Sequence, residues 1–191
     1  NIPVPPFWGV RVRKDYDLRE LFRYINETAL FKNQWQLKTA SQSDYLRLVD
    51  EKFRPILHKL ENEVFESGLF APAVVYGYFP AQGDGNDVIV YEPPTEGQGP
   101  GSKEFLRFTF PRQREGRRLS ISHFFAPKSS GKMDVIGLSL VTIGPAASVE
   151  TQRLFEGGEY TKYLYLHGLS VETAEAVSYT HLSCRRSYAC R

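Results

Sequence analysis

Apolar residues change their spacing twice along this chain, and that change limits the fold more than any other feature. From Asp17 to Gly68 they recur at intervals of three and four, from Ala73 to Ile143 they alternate or form short runs, and from about residue 147 helical spacing returns. Strands that follow one another directly pair as antiparallel neighbours, whereas a doubly wound parallel sheet needs a helix between strands. The pattern predicts an α+β fold with a twisted, mainly antiparallel sheet and flanking helices.

Local signals place the elements. Asp17 has the side chain of a helix N-cap, Glu20 follows three residues on, and Leu18, Leu21, Phe22 and Ile25 share a face, predicting a helix from 17 to about 25. Ser43 or Asp44 caps a longer pattern through Leu48, Val49, Phe53, Leu57 and Val64, with Gly68 at C′ and Pro55 expected to kink or split it. Strands are expected at 7–12, 73–79, 88–91, 105–110, 119–125 and 135–143, and closing helices at about 147–156 and 159–177. Gly83-Asp84-Gly85-Asn86-Asp87 starts like a calcium loop, but loop position 12 counted from Asp84 is Thr95 rather than Glu, so a tight hairpin turn is expected. Glu92 to Lys103 reads as an exposed loop tip.

Composition bounds the function. The chain has 191 residues, 41% of them hydrophobic, which suits one buried core. A net charge of +2 is too mild to indicate nucleic acid, and no run reaches the roughly 18 apolar residues of a membrane span. Residues 1–6, Pro-rich and without a leading Met, read as an extended linker in a piece excised from a longer chain. Cys184 and Cys190 both fall in the last eight residues and give the body no disulfide framework, so a soluble protein of the reducing cytoplasm is expected.

Chemistry-bearing patterns are sparse. His58, His123, His167 and His181 are scattered without HExxH or CxxC partners, so no zinc site is expected, and His167 reads as a packing or surface residue. GxSxG, GxGxxG and GxxxxGK[ST] are all missing. The run from Arg107 to Arg118 interleaves rings with cations as single-strand binders do. Period-two placement instead puts Phe108 and Phe110 on one face and Arg107 and Thr109 on the other, as in a half-buried strand followed by a basic turn. The residues alone therefore imply a binding or regulatory module, with a single-strand nucleic-acid binder or a stand-alone small-molecule-binding domain as the alternatives.

Several stretches, in order, resemble a known family. They include Pro6-Phe7-Trp8-Gly9, Tyr24-Ile25-Asn26-Glu27-Thr28-Ala29-Leu30-Phe31 leading to Trp35, Val75-Tyr76-Gly77-Tyr78-Phe79-Pro80-Ala81, Phe108-Thr109-Phe110-Pro111-Arg112-Gln113, Gly131-Lys132-Met133-Asp134 and Tyr163 to Glu172. Over about 6–177 the chain resembles the reactivation (activation) domain at the C-terminal end of cobalamin-dependent methionine synthase. The resemblance implies a C-shaped domain that binds S-adenosylmethionine and presents its methyl group to cobalamin (vitamin B12) held by a neighbouring module of the same polypeptide. A flavodoxin-type electron donor and reductive methylation of cob(II)alamin are implied with it, inside an enzyme that methylates homocysteine to methionine. Neither nucleic acid nor a membrane is an expected partner.

Two positions match the family's ligand contacts. Asn26 stands where members carry Asp or Asn, so the resemblance implies that its side-chain carbonyl accepts a hydrogen bond from the ligand's ammonium; read alone, it is equally a helix C-cap. Glu175 matches a ligand-contacting glutamate on the family's long helix, although Glu172 lies three residues earlier on nearly the same side and either also suits a solvated face. The activation domain proper is expected to span 7–177. Residues 178–191 match no part of the family pattern, and its Arg-Pro-Ala-x-Gly-Tyr-Pro segment is not in the chain, so the tail is expected to be a junction artefact and the isolated piece inactive.

Overall fold

A computed structural model describes residues 2–95 and 103–189, with side chains as far as Tyr179. The tip of the loop expected at 92–103 and the side chains of His181, Cys184 and Cys190 thus lie outside the described residues. The chain divides into two compact units, residues 1–12 with 75–140 and residues 13–74 with 141–191.

The first unit is built on a sheet. β1 (Gly9–Arg13), β2 (Ala73–Asp84), β3 (Asp87–Tyr91) and β4 (Glu104–Thr109) lie side by side in that order, and β5 (Asp134–Thr142) pairs with β2. β2 and β3 are antiparallel with Asp84 opposite Asp87, which leaves a two-residue loop whose first residue, Gly85, takes φ +61°. That is the tight hairpin expected there, since the first loop position needs the left-handed backbone that Gly adopts without strain. β2 runs past the expected end at Phe79 because its pairing with β3 starts at Ala81, so Pro80 removes no donor from that ladder. Phe79, Ala81, Val88 and Val90 form the core, with Phe110, Phe125, Ile136 and Leu138 packed against them.

Two expectations fail in this unit. No strand covers 119–125; Ile121–Phe124 is a 3₁₀ turn capped by Ser120, whose backbone N–H donates to His123 Nδ1 at 2.8 Å. The alternation is real but inverted: Ser120 and Ser122 are buried while Phe124 is exposed, because the Ser122 hydroxyl donates to the Gly85 carbonyl and the Ser122 carbonyl seats against Gly83. A short polar residue that satisfies a turn competes with the sheet ladder, and here it wins. Nor is β4 half-buried, since all six of its residues are exposed, as an edge strand permits.

The second unit is helical. Asp17 caps α1 (Leu18–Phe22) by accepting from the Arg19 N–H at 2.9 Å, and the helix stops three residues short of the expected Ile25. A short α2 (Glu27–Ala29) runs into a π-helical turn, Leu30–Gln34. The long pattern is capped by Ser41 rather than Ser43 or Asp44, its hydroxyl accepting from the Asp44 N–H. Pro55 divides it as expected: α3 (Gln42–Leu48) ends in a second π turn, Val49–Phe53, before α4 (Arg54–Ser67) opens with proline in its first turn. Gly68 closes α4 in the left-handed conformation, φ +63°, as its expected C′ role requires. α5 (Pro145–Glu156) matches expectation, whereas α6 (Tyr160–Ala189) continues beyond the expected end at 177. No helix among the described residues is long and apolar enough to cross a membrane. The architecture as a whole is the expected α+β class with an antiparallel sheet.

Candidate functional site

Apolar burial in the helical unit centres on Trp35. Its ring lies 4.5 Å from Tyr165, 5.4 Å from Phe31 and 6.1 Å from Phe53, and its indole N–H donates to the Tyr165 carbonyl at 3.2 Å. α6 reaches this close because residue 168 has no side chain: a Cβ on Gly168 would sit 2.8 Å from both the Gln34 Cβ and the Trp35 ring. A glycine inside a helix costs about 1 kcal/mol relative to alanine, so its use here is explained by that approach.

One turn after Gly168, the same face of α6 forms the wall of a groove of about 510 Å³ that includes Tyr24, Asn26, Gln34, Glu172, Glu175 and Tyr179 in its lining. Asn26 and Glu175, from opposite ends of the chain, are thereby brought together. Asn26 is not a C-cap: Arg23 ends α1, and Asn26 is the N-cap of α2, its Oδ1 accepting from the Ala29 N–H at 3.1 Å. This leaves one Oδ1 lone pair and both amide hydrogens for other partners. Behind it, the Glu27 carboxylate is gripped by Arg54, whose Nη2 donates at 2.9 Å and which also pairs with Asp50, fixing the turn that carries Asn26.

The two glutamates differ. Glu175 is exposed, whereas Glu172 is 5% exposed and accepts from Gln34 Nε2 at 3.2 Å. Burial pushes the Glu172 carboxyl above the ordinary range; the Gln34 amide partly offsets this, and the like charge of Glu175 adds to it. A larger groove of about 670 Å³ on the same unit, floored by Leu60, Val64, Leu154 and Leu166, has its rim charges tied to one another: Arg153 bonds Glu150 and Glu159, and Lys59 faces Glu63. The smaller groove, with carboxylate and amide capacity to spare, is the better candidate.

Residues 17–189 match the model of the vitamin B12 dependent methionine synthase activation domain. The chain belongs to that family. It is 36% identical to the methionine synthase of Mycobacterium tuberculosis (strain ATCC 25618 / H37Rv) and 35% identical to that of Mycobacterium leprae (strain TN), in each case over 97% of its own length. It spans only 16% of either relative. Its fold is similar to that of the MetH reactivation domain solved with AdoHcy, with a TM-score of 0.77 and 22% identity over 98% of this chain and 58% of that one.

Within this activation-domain chain, the sequence pointed to Asn26 and Glu175 but ranked Glu172 second and passed over Gln34. Gln34 closes a π turn, which has no periodic signature, and π turns recur at functional sites. Gly168 was the available clue, since a glycine in the middle of an otherwise strong helical pattern marks a close packing partner. His167 is exposed and stacks on Tyr163 at 5.4 Å, the surface role expected of it.

Proposed function

We propose that this chain is the reactivation domain of a cobalamin-dependent methionine synthase and that it holds S-adenosylmethionine in the groove between α2 and α6. The observation that carries the reading is the meeting of Asn26 and Glu175 in one groove of a chain that matches the activation-domain family over 17–189. At about 510 Å³ the groove falls within the range usual for small-ligand sites. Its chemistry suits the ligand: Glu175 and Asn26 offer oxygens to cationic groups, and the exposed rings of Tyr24 and Tyr179 offer faces for a purine.

Cobalamin, held by a neighbouring module of a cytoplasmic enzyme that methylates homocysteine, would accept the methyl group after one-electron reduction by a flavodoxin-type donor. This chain's part is to bind and orient. Asn26, fixed by its cap bond and by the Glu27–Arg54 pair, sets one end of the ligand, while Glu175 on the rigid α6 sets the other. Isothermal calorimetry with S-adenosylmethionine tests the reading on the chain as it stands and on a form extended through the family's C-terminal segment. Binding by the extended form, weakened about tenfold or more by Glu175→Gln, is the expected result. Binding by neither form overturns it.

A further inference from the structure

The groove has a property that methyl-donor binding alone does not require: among its described lining residues there are two carboxylates and no cation. Glu172 is the unusual one. It is 95% removed from solvent by its 5% exposure, its Oε1 takes the Gln34 amide, and its Oε2 accepts no hydrogen bond from the described residues. A carboxylate can take about four hydrogen bonds, so Glu172, with one donor, keeps acceptor capacity on the wall of the groove. An arriving cation gains the attraction of that charge; a neutral group of the same shape does not.

S-adenosylmethionine and S-adenosylhomocysteine share their adenosine, ammonium and carboxylate and differ in one methyl and in the charge on sulfur. When the methyl leaves, the C–S bond breaks, sulfur keeps the electron pair, and a cationic sulfonium becomes a neutral thioether. We propose that Glu172, oriented by Gln34, makes this groove selective for the sulfonium donor over its thioether product, so that transfer of the methyl itself loosens what remains. Gly168 is part of the arrangement, because only a residue without Cβ lets α6 come close enough to Gln34 for the 3.2 Å contact one turn further on. Glu175, exposed to solvent on the next turn, is screened and contributes less to this discrimination.

The inference rests on the function proposed above, and one set of titrations separates the two. S-adenosylmethionine and S-adenosylhomocysteine are titrated into the extended protein, unaltered and with Glu172→Gln, which keeps the shape and removes the charge. The unaltered protein is expected to bind the sulfonium about tenfold more tightly than the thioether, a ratio that needs no variant to read. Glu172→Gln is expected to weaken the sulfonium about tenfold while leaving the thioether within about twofold, collapsing the ratio. A merely structural Glu172 would move both ligands alike. Equal affinities in the unaltered protein, or parallel losses in the variant, overturn the selectivity and leave the function standing. Failure to bind either compound overturns the function, and the selectivity with it.

Discussion

The β4 edge with its basic turn and the groove on α6 are both rich in charge and aromatic rings, and they differ in how those groups are engaged. On β4, Arg107 is bonded to Glu104 at 2.7 Å and Asp87 at 2.9 Å, and Asp87 also takes the Thr109 hydroxyl. Arg112 donates to Asn86. The carboxyls respond as satisfied groups do: Thr109 and then Arg107 hold Asp87 below its ordinary range, and Arg107 does the same for Glu104. In the groove the shift runs the other way, with burial raising Glu172. Along β4 the charges are paired with one another, whereas the groove's two carboxylates face no cation among its described lining residues.

The largest way to break this contrast is to remove what positions the groove. Trp35, 4% exposed and central to the aromatic cluster, is expected to cost about 3–5 kcal/mol as Trp35→Ala, read as a lowered midpoint in denaturant unfolding. Gly168→Ala comes next. Its new Cβ meets the Gln34 Cβ and the Trp35 ring at 2.8 Å, neither of which is a free side-chain end, so overpacking of about 1–3 kcal/mol is expected, with loss of ligand binding in the same protein. If Gly168→Ala folds and binds as the unaltered chain does, the close approach does not position the site.

How much of this was legible beforehand follows from the same physics. The α+β class, the Gly85 hairpin, the split at Pro55 and the Gly68 stop were readable because each rests on a residue whose backbone permits little else. Asn26 and Glu175 came from the resemblance; their chemistry alone left a cap and a solvated face as equal readings. The strand expected at 119–125 failed because Ser120 and Ser122 bond to backbone across the unit, a partner that local spacing cannot reveal. The burial of Glu172 and the part played by Gln34 were hidden for a related reason: a carboxylate becomes unusual only when another segment buries it, and the segment that meets it here is a π turn.

A smaller effect sharpens the contrast through pH. A glutamate whose folded value is raised contributes stability that is present in full below its unfolded value of about 4.3 and is lost as pH rises through the folded value. Glu172 therefore weakens the fold at neutral pH, and Glu61, also raised chiefly by burial and partly offset by His58, acts in the same direction. Glu172→Gln removes one of these losses. It is expected to be about 1 kcal/mol more stable than the unaltered chain at pH 7, with the difference vanishing near pH 4, in paired denaturant titrations. A stability gain in the variant that loses sulfonium binding would mean the groove keeps a costly charge for its ligand.

The smallest effect belongs to the other region. Arg107→Gln breaks both the Glu104 and Asp87 pairs, yet all three groups are solvated, and exposed pairs are screened and repay little of the entropy of holding two long side chains together. The melting temperature is expected to fall by only about 1–2 °C, and by less still in molar salt. Ligand affinity in the extended protein is expected to stay unchanged, because none of these residues lines the groove. A larger drop that survives high salt would show that β4 holds its Asp87 and Glu104 partners against a real desolvation cost, and the distinction between satisfied and reserved charge would then have to be drawn elsewhere.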